Sequence, residues 1–169
     1  TPIDSGEDSV AWLFKRSVNL SGFTISREEA LKYSTTKLDG TLLYQVYLMA
    51  QVCLHSASIY CDIAVTQAVQ TWRKDTPMFG ASPAEKGRYT PGKVTNDNSL
   101  NFTKSYFEVA QYLDRLHGTK LEKIIKISLS KNSYPFLSIQ RKRGVTQFLN
   151  YSRQLELQYD FGITFYYHI

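Results

Sequence analysis

The residues of this chain most suited to chemistry sit close together at Cys53, His55, Cys61 and Asp62. All four are metal-ligand types. A zinc site normally draws its ligands from two closely spaced pairs, and the C-x-H-x5-C spacing here offers no second pair. Packing among apolar neighbours accounts for these residues better, with Cys53 and Cys61 as buried free thiols. Asp62 is the one acid inside an apolar run. That position makes it a candidate for a displaced pKa, although an outward-facing carboxylate on a strand explains it more simply.

Other reaction types lack their signatures. There is no G-x-S-x-G, no H-E-x-x-H and no cysteine with a nucleophile's flanking pattern. His117 falls at the end of an expected helix, where imidazolium complements the helix dipole without any catalytic role. A metal-dependent nuclease needs clustered carboxylates, and Asp97, Glu108, Asp114, Glu122, Glu156 and Asp160 are scattered. Gly87-Arg88-Tyr89-Thr90-Pro91-Gly92 lacks the glycine spacing of a nucleotide-binding loop. The sequence therefore leads to no catalytic residue, no cofactor and no metal.

Charge is the remaining signal. The net charge is +5 over 169 residues, and it is unevenly spread. Up to Trp72 there are 5 basic and 7 acidic residues; from Arg73 onward there are 15 basic and 8 acidic ones. Nine of the residues from Arg115 to Arg153 are Lys or Arg, and only Glu122 is acidic. Binding a phosphate backbone needs several cations on one surface, and nearby aromatics add stacking. The residues expected to make such contacts are Arg141, Lys142 and Arg143 in a tight turn, supported by Lys120, Lys131, Arg88 and Lys93. Lys123 and Lys126, three apart, would lie on opposite faces of a strand and so divide the patch. The expected function is a non-catalytic binding protein for nucleic acid or another polyanion. The alternative is a self-assembling structural protein, such as a viral coat or matrix subunit, and hence a homo-oligomer.

These cations need a scaffold. Phe102, Tyr106, Val109, Leu113 and Leu116 recur at helical intervals, so Leu100 to His117 is an expected helix. Ser105 to Glu108 matches a capping box, and Gly118 sits where a left-handed cap belongs. Ser26 to Glu29 matches a second box, which predicts a helix from Arg27 to Tyr33. Val10 to Phe14 fits a short helix or a strand, capped by Asp8 or Ser9. Thr41 to Leu54 alternates as a strand would, yet Leu43, Val46, Tyr47, Ala50 and Leu54 also form a helical stripe. Its length and its Leu, Met, Ala and Gln content favour helix.

Strands are expected elsewhere. Asp39-Gly40 is a hairpin-turn signal. Ala57 to Trp72 is β-branched and alternates; Lys123 to Leu129, Phe136 to Gln140, Val145 to Asn150 and Gln154 to Ile169 are further expected strands, the last alternating through Leu155, Leu157, Tyr159 and Phe161. The resulting expectation is an α+β fold: two or three helices packed on a mostly antiparallel sheet, with a strand-rich C-terminal half. A single domain over 1–169 carries a long basic loop at about 73–99, which holds three of the five prolines and three of the nine glycines. The aromatic end, Phe165 to Ile169, reads as a buried strand or an assembly contact.

Compartment signals point to an intracellular, reducing setting: nuclear, cytoplasmic or virion. Two cysteines are too few for a disulfide framework, and sequons at Asn19, Asn101 and Asn150 are common by chance. No apolar run reaches the roughly 20 residues of a membrane span. The opening Thr1-Pro2-Ile3-Asp4, without Met or a signal peptide, reads as a processed product or an excised fragment.

Overall fold

Where a strand-rich C-terminal half was expected, the chain is helical. The structure, a computed structural model, describes residues 1–14, 16, 23–39, 41, 43–63, 96–131 and 140–160, with backbone alone at 96–99, 102 and 129–131. In chain order its elements are β1 (Pro2–Ile3), α1 (Glu7–Phe14), α2 (Arg27–Lys32), α3 (Tyr44–His55), β2 (Ser58–Ile59), α4 (Asn96–His117), α5 (Leu121–Lys131) and α6 (Val145–Tyr159). A further short helical stretch covers 140–143. Among the described residues the sheet is limited to β1 and β2, antiparallel, with Pro2 opposite Ile59 and Ile3 opposite Ser58.

The helical readings of the N-terminal half hold. Ser26 caps α2 by accepting from the Glu29 N–H at a long 3.5 Å. Val10 to Phe14 is helical, although α1 begins earlier, at Glu7, with two acids in the first turn where the dipole favours them. On α3 the buried residues are Val46, Tyr47, Ala50, Gln51 and Cys53, which is a helical period and not an alternating one. The described elements on either side of Asp39-Gly40 are α2 and α3 and not strands, and Gly40 itself lies outside the described residues. The Thr41 N–H donates to the Leu38 carbonyl at 3.1 Å in a turn that links α2 to α3.

Helix α4 is the spine of the fold, at 22 residues or about 33 Å. Tyr106, Phe107, Val109, Ala110 and Leu113 are buried on it, whereas Leu116, at the end of the expected stripe, is 53% exposed. Ser105 is not an N-cap but an interior residue of α4, and its hydroxyl donates to the Asn101 carbonyl at 3.0 Å. Gly118 does take the left-handed conformation, at φ 68°, that lets the chain leave the helix.

Four elements converge on that spine. From α1, Phe14 meets Tyr106 with ring centroids 5.4 Å apart. From α3, Tyr47 meets Tyr112 at 5.7 Å. From α6, Tyr159 stacks on Phe107 at 4.4 Å, and the Tyr151 hydroxyl lies 3.4 Å from Thr103 Oγ1. Helix α5 contributes Leu121 and Ile125 to the same core.

Helices α5 and α6 replace expected strands for a common reason. On α5 the buried pair is Leu121 and Ile125, four apart, while Ile127 is 46% exposed. On α6 the buried residues are Tyr151, Ser152, Leu155 and Tyr159, and Leu157, two from Leu155, is 77% exposed. Burial follows the period of 3.6, so the alternation in both segments is incidental. Ala57 to Trp72 yields only Ser58–Ile59 as strand within the described part, and Cys61, Asp62 and Ile63 after it are exposed. Phe136 to Ile139 and Phe161 to Ile169 lie outside the described residues, as do positions 73–95 of the basic loop.

Candidate functional site

The expected contact residues separate into three groups. Arg141, Lys142 and Arg143 stand together, all exposed, in the helical stretch at 140–143. That stretch is anchored from below. Gln140 is fully buried, and its Oε1 accepts from Arg143 Nη1 at 2.8 Å. Gly144 then breaks the helical path with φ 129° and becomes the N-cap of α6, where no side-chain hydrogen bond serves the cap. The three cations therefore precede a helix N-terminus, whose partial positive charge adds to theirs.

Lys120 lies at the entry to α5 and is exposed. Because α5 is a helix, Lys123 and Lys126 fall three apart on one face instead of on opposite faces of a strand. Lys120, Lys123 and Lys126 thus form a cationic row along α5, with Arg115 exposed in the last turn of α4. Lys131 closes α5, and its side chain lies outside the described part; Arg88 and Lys93 lie outside it altogether.

The row on α5 is held by carboxylates that the sequence presented as scattered. Asp114, in the last turn of α4, accepts at Oδ1 from the Leu121 N–H (2.7 Å) and the Thr119 hydroxyl (2.6 Å), and at Oδ2 from the Glu122 N–H (2.9 Å). Glu7 of α1 accepts from the Lys120 N–H at 2.8 Å. Gln111 donates to Glu122 at 3.0 Å. Carboxylates at a helix N-terminus satisfy its otherwise unpaired N–H groups and its dipole together.

A second polar cluster lies where α2, α3 and α4 meet. Gln51 is 1% exposed. Its Oε1 lies 2.8 Å from His117 Nε2, and its Nε2 donates to the Tyr47 hydroxyl at 3.1 Å. That hydroxyl donates in turn to the Tyr33 carbonyl at 2.8 Å. The Tyr33 ring stacks on His55 at 5.7 Å, and His55 meets the edge of His117 at 5.1 Å. Burial pushes the His117 imidazole below its usual range, and the nearby His55 adds to the effect. The sequence assigned His117 to a helix end, which is correct, but its partner Gln51 is 66 positions away and no local pattern announces it.

Cys53 is buried beside the Ser58 hydroxyl at 3.3 Å, and burial pushes its thiol up. Cys61, expected to be buried, is exposed. Among the described residues no three His, Cys, Asp or Glu side chains gather as a metal site would require, and no helix is long and apolar enough to cross a membrane. A scan against family models finds no match, and searches of curated proteins and of solved structures find none either.

Proposed function

We propose that this chain is a non-catalytic binding protein that contacts nucleic acid through the cations of its C-terminal half. The observation that supports this most directly is the run Arg141-Lys142-Arg143, exposed at all three positions and fixed by the buried Gln140 beneath it. A phosphate backbone meeting this run gains three cations and the positive end of α6. Lys120, Lys123 and Lys126 offer a second row of the same sign. Such contacts position a backbone without reading bases.

The test is binding to single- and double-stranded DNA and RNA at two salt concentrations, first for the intact protein and then for Arg141→Gln/Lys142→Gln/Arg143→Gln. The intact protein binds and weakens steeply with salt. Each phosphate contact contributes roughly 0.7–0.9 to the logarithmic salt slope, so the triple variant flattens that slope by about 2–3. A variant with the parent's slope would remove the run from the interface.

A further inference from the structure

Helix α6 carries an outward face that the described residues leave uncovered. Tyr151, Ser152, Leu155 and Tyr159 turn inward to the core. Val145, Leu149, Arg153 and Leu157 recur every four residues on the other side, and the three apolar members are 71%, 57% and 77% exposed. A spacing of four is a ridge of the kind that packs against another helix.

The charges at the two ends of this ridge are opposite. Arg141, Lys142 and Arg143 precede its N-terminus, and Glu156 and exposed Asp160 close its C-terminus. A nucleic acid or an anionic membrane laid along the ridge would meet those carboxylates. An acidic partner helix would match the first end and be repelled at the second. A second copy of α6 running antiparallel matches both ends at once, and it also opposes the two helix dipoles favourably.

We infer that α6 is a self-association surface through which two copies of this chain pair antiparallel about a two-fold axis at the level of Tyr151. In this register Val145 faces Leu157 of the other copy, Leu149 faces Arg153, and Lys142 comes beside Asp160. Each contact occurs twice, as an isologous pair requires. The stem of Arg153 covers Leu149 while its guanidinium reaches solvent. Three apolar side chains per copy form a small seam, so the pair is weak, with a Kd on the order of tens of micromolar. Three cations against Glu156 and Asp160 leave the 141–143 run net positive, and the pairing stands or falls independently of nucleic-acid binding.

Site-directed cross-linking tests the register. In a Cys61→Ser background, one preparation carries Val145→Cys and another Leu157→Cys; both positions are exposed and their substitution leaves the core intact. Under oxidised glutathione the mixture cross-links at least about tenfold faster than either preparation alone, because like positions in the antiparallel pair sit about 18 Å apart along the axis. Sedimentation of the intact protein across its micromolar range shows concentration-dependent mass, and Leu149→Glu raises the Kd about tenfold or more. Cross-linking of either preparation alone as fast as the mixture would overturn the antiparallel register. A protein that stays monomeric throughout, with no preference in the mixture, would overturn the surface itself.

Discussion

Asp114 and Leu121 are joined across the α4–α5 corner by a 2.7 Å hydrogen bond, carboxylate to backbone N–H, so that the last turn of one helix caps the first turn of the next. With the Glu122 N–H on its other oxygen and the Thr119 hydroxyl beside it, this carboxylate fixes the angle at which α5 leaves α4. Gly118, in its left-handed conformation, lets the chain reverse between them. The lysine row of α5 owes its direction to this corner.

Replacing Asp114 by Ala leaves two backbone N–H groups and a hydroxyl without their acceptor. Loss of a helix cap costs about 1–2 kcal/mol, and Asp114→Asn, which keeps one acceptor oxygen, costs less. Urea unfolding of the two variants beside the parent would show that order. Equal midpoints for all three would mean that solvent replaces the cap without loss.

The α4 stripe offers a sharper comparison. Leu113 and Leu116 are three apart in sequence, yet Leu113 is fully buried and Leu116 is 53% exposed. Leu113→Ala should cost about 2–5 kcal/mol, as other buried leucines do, and Leu116→Ala should stay within about 0.5 kcal/mol. Thermal or urea denaturation of both variants checks the rotation of α4 about its own axis; similar losses would contradict it.

What the sequence revealed depended on how many signals agreed. For α4 the period and the terminal glycine pointed the same way, and the helix was legible although its start, at Asn96, was not. For α3 the apolar pattern fitted both periods, and length with propensity decided correctly. The same criterion serves for α6: fifteen residues rich in Leu and Gln favour helix, although Leu155, Leu157 and Tyr159 also alternate. For α5, Ile125 and Ile127 gave a β-branched signal that burial of Leu121 and Ile125 overrides. The cations at 141–143 were legible as a cluster, because adjacency needs no fold. The Gln51–His117 contact was not, because it depends on the packing of α3 against α4.

That contact gives stability a pH dependence. The folded state holds the His117 pKa below its ordinary 6.5, through burial first and then the charge of His55. The unfolded chain therefore binds the proton more readily, and stability rises with pH through this window. The contribution is complete above about 6.5 and is lost as pH falls from there toward the folded value. The groups facing the imidazole are His55, Gln51 and, through Gln51, Tyr47, with Tyr33 and Lys32 beyond His55. His117→Gln removes the titrating ring, so urea midpoints at pH 7.5 and pH 5.5 should lie closer together in this variant than in the parent. An unchanged gap would assign the dependence to other groups.

Ser152 shows the opposite kind of polar burial. It is 4% exposed on the core side of α6, beside Tyr151 and Leu155, and its hydroxyl has no hydrogen-bond partner among the described residues. A buried hydroxyl with no partner has given up water without a replacement bond, and alanine at an interior helix position is the better helix former. Ser152→Ala should therefore leave stability within about 0.5 kcal/mol of the parent or raise it, where most buried substitutions lower it. Urea unfolding reads the sign directly. A loss above about 1 kcal/mol would mean that the hydroxyl makes a bond within the fold, and that α6 is held to α4 by more than the packing of Tyr151, Leu155 and Tyr159.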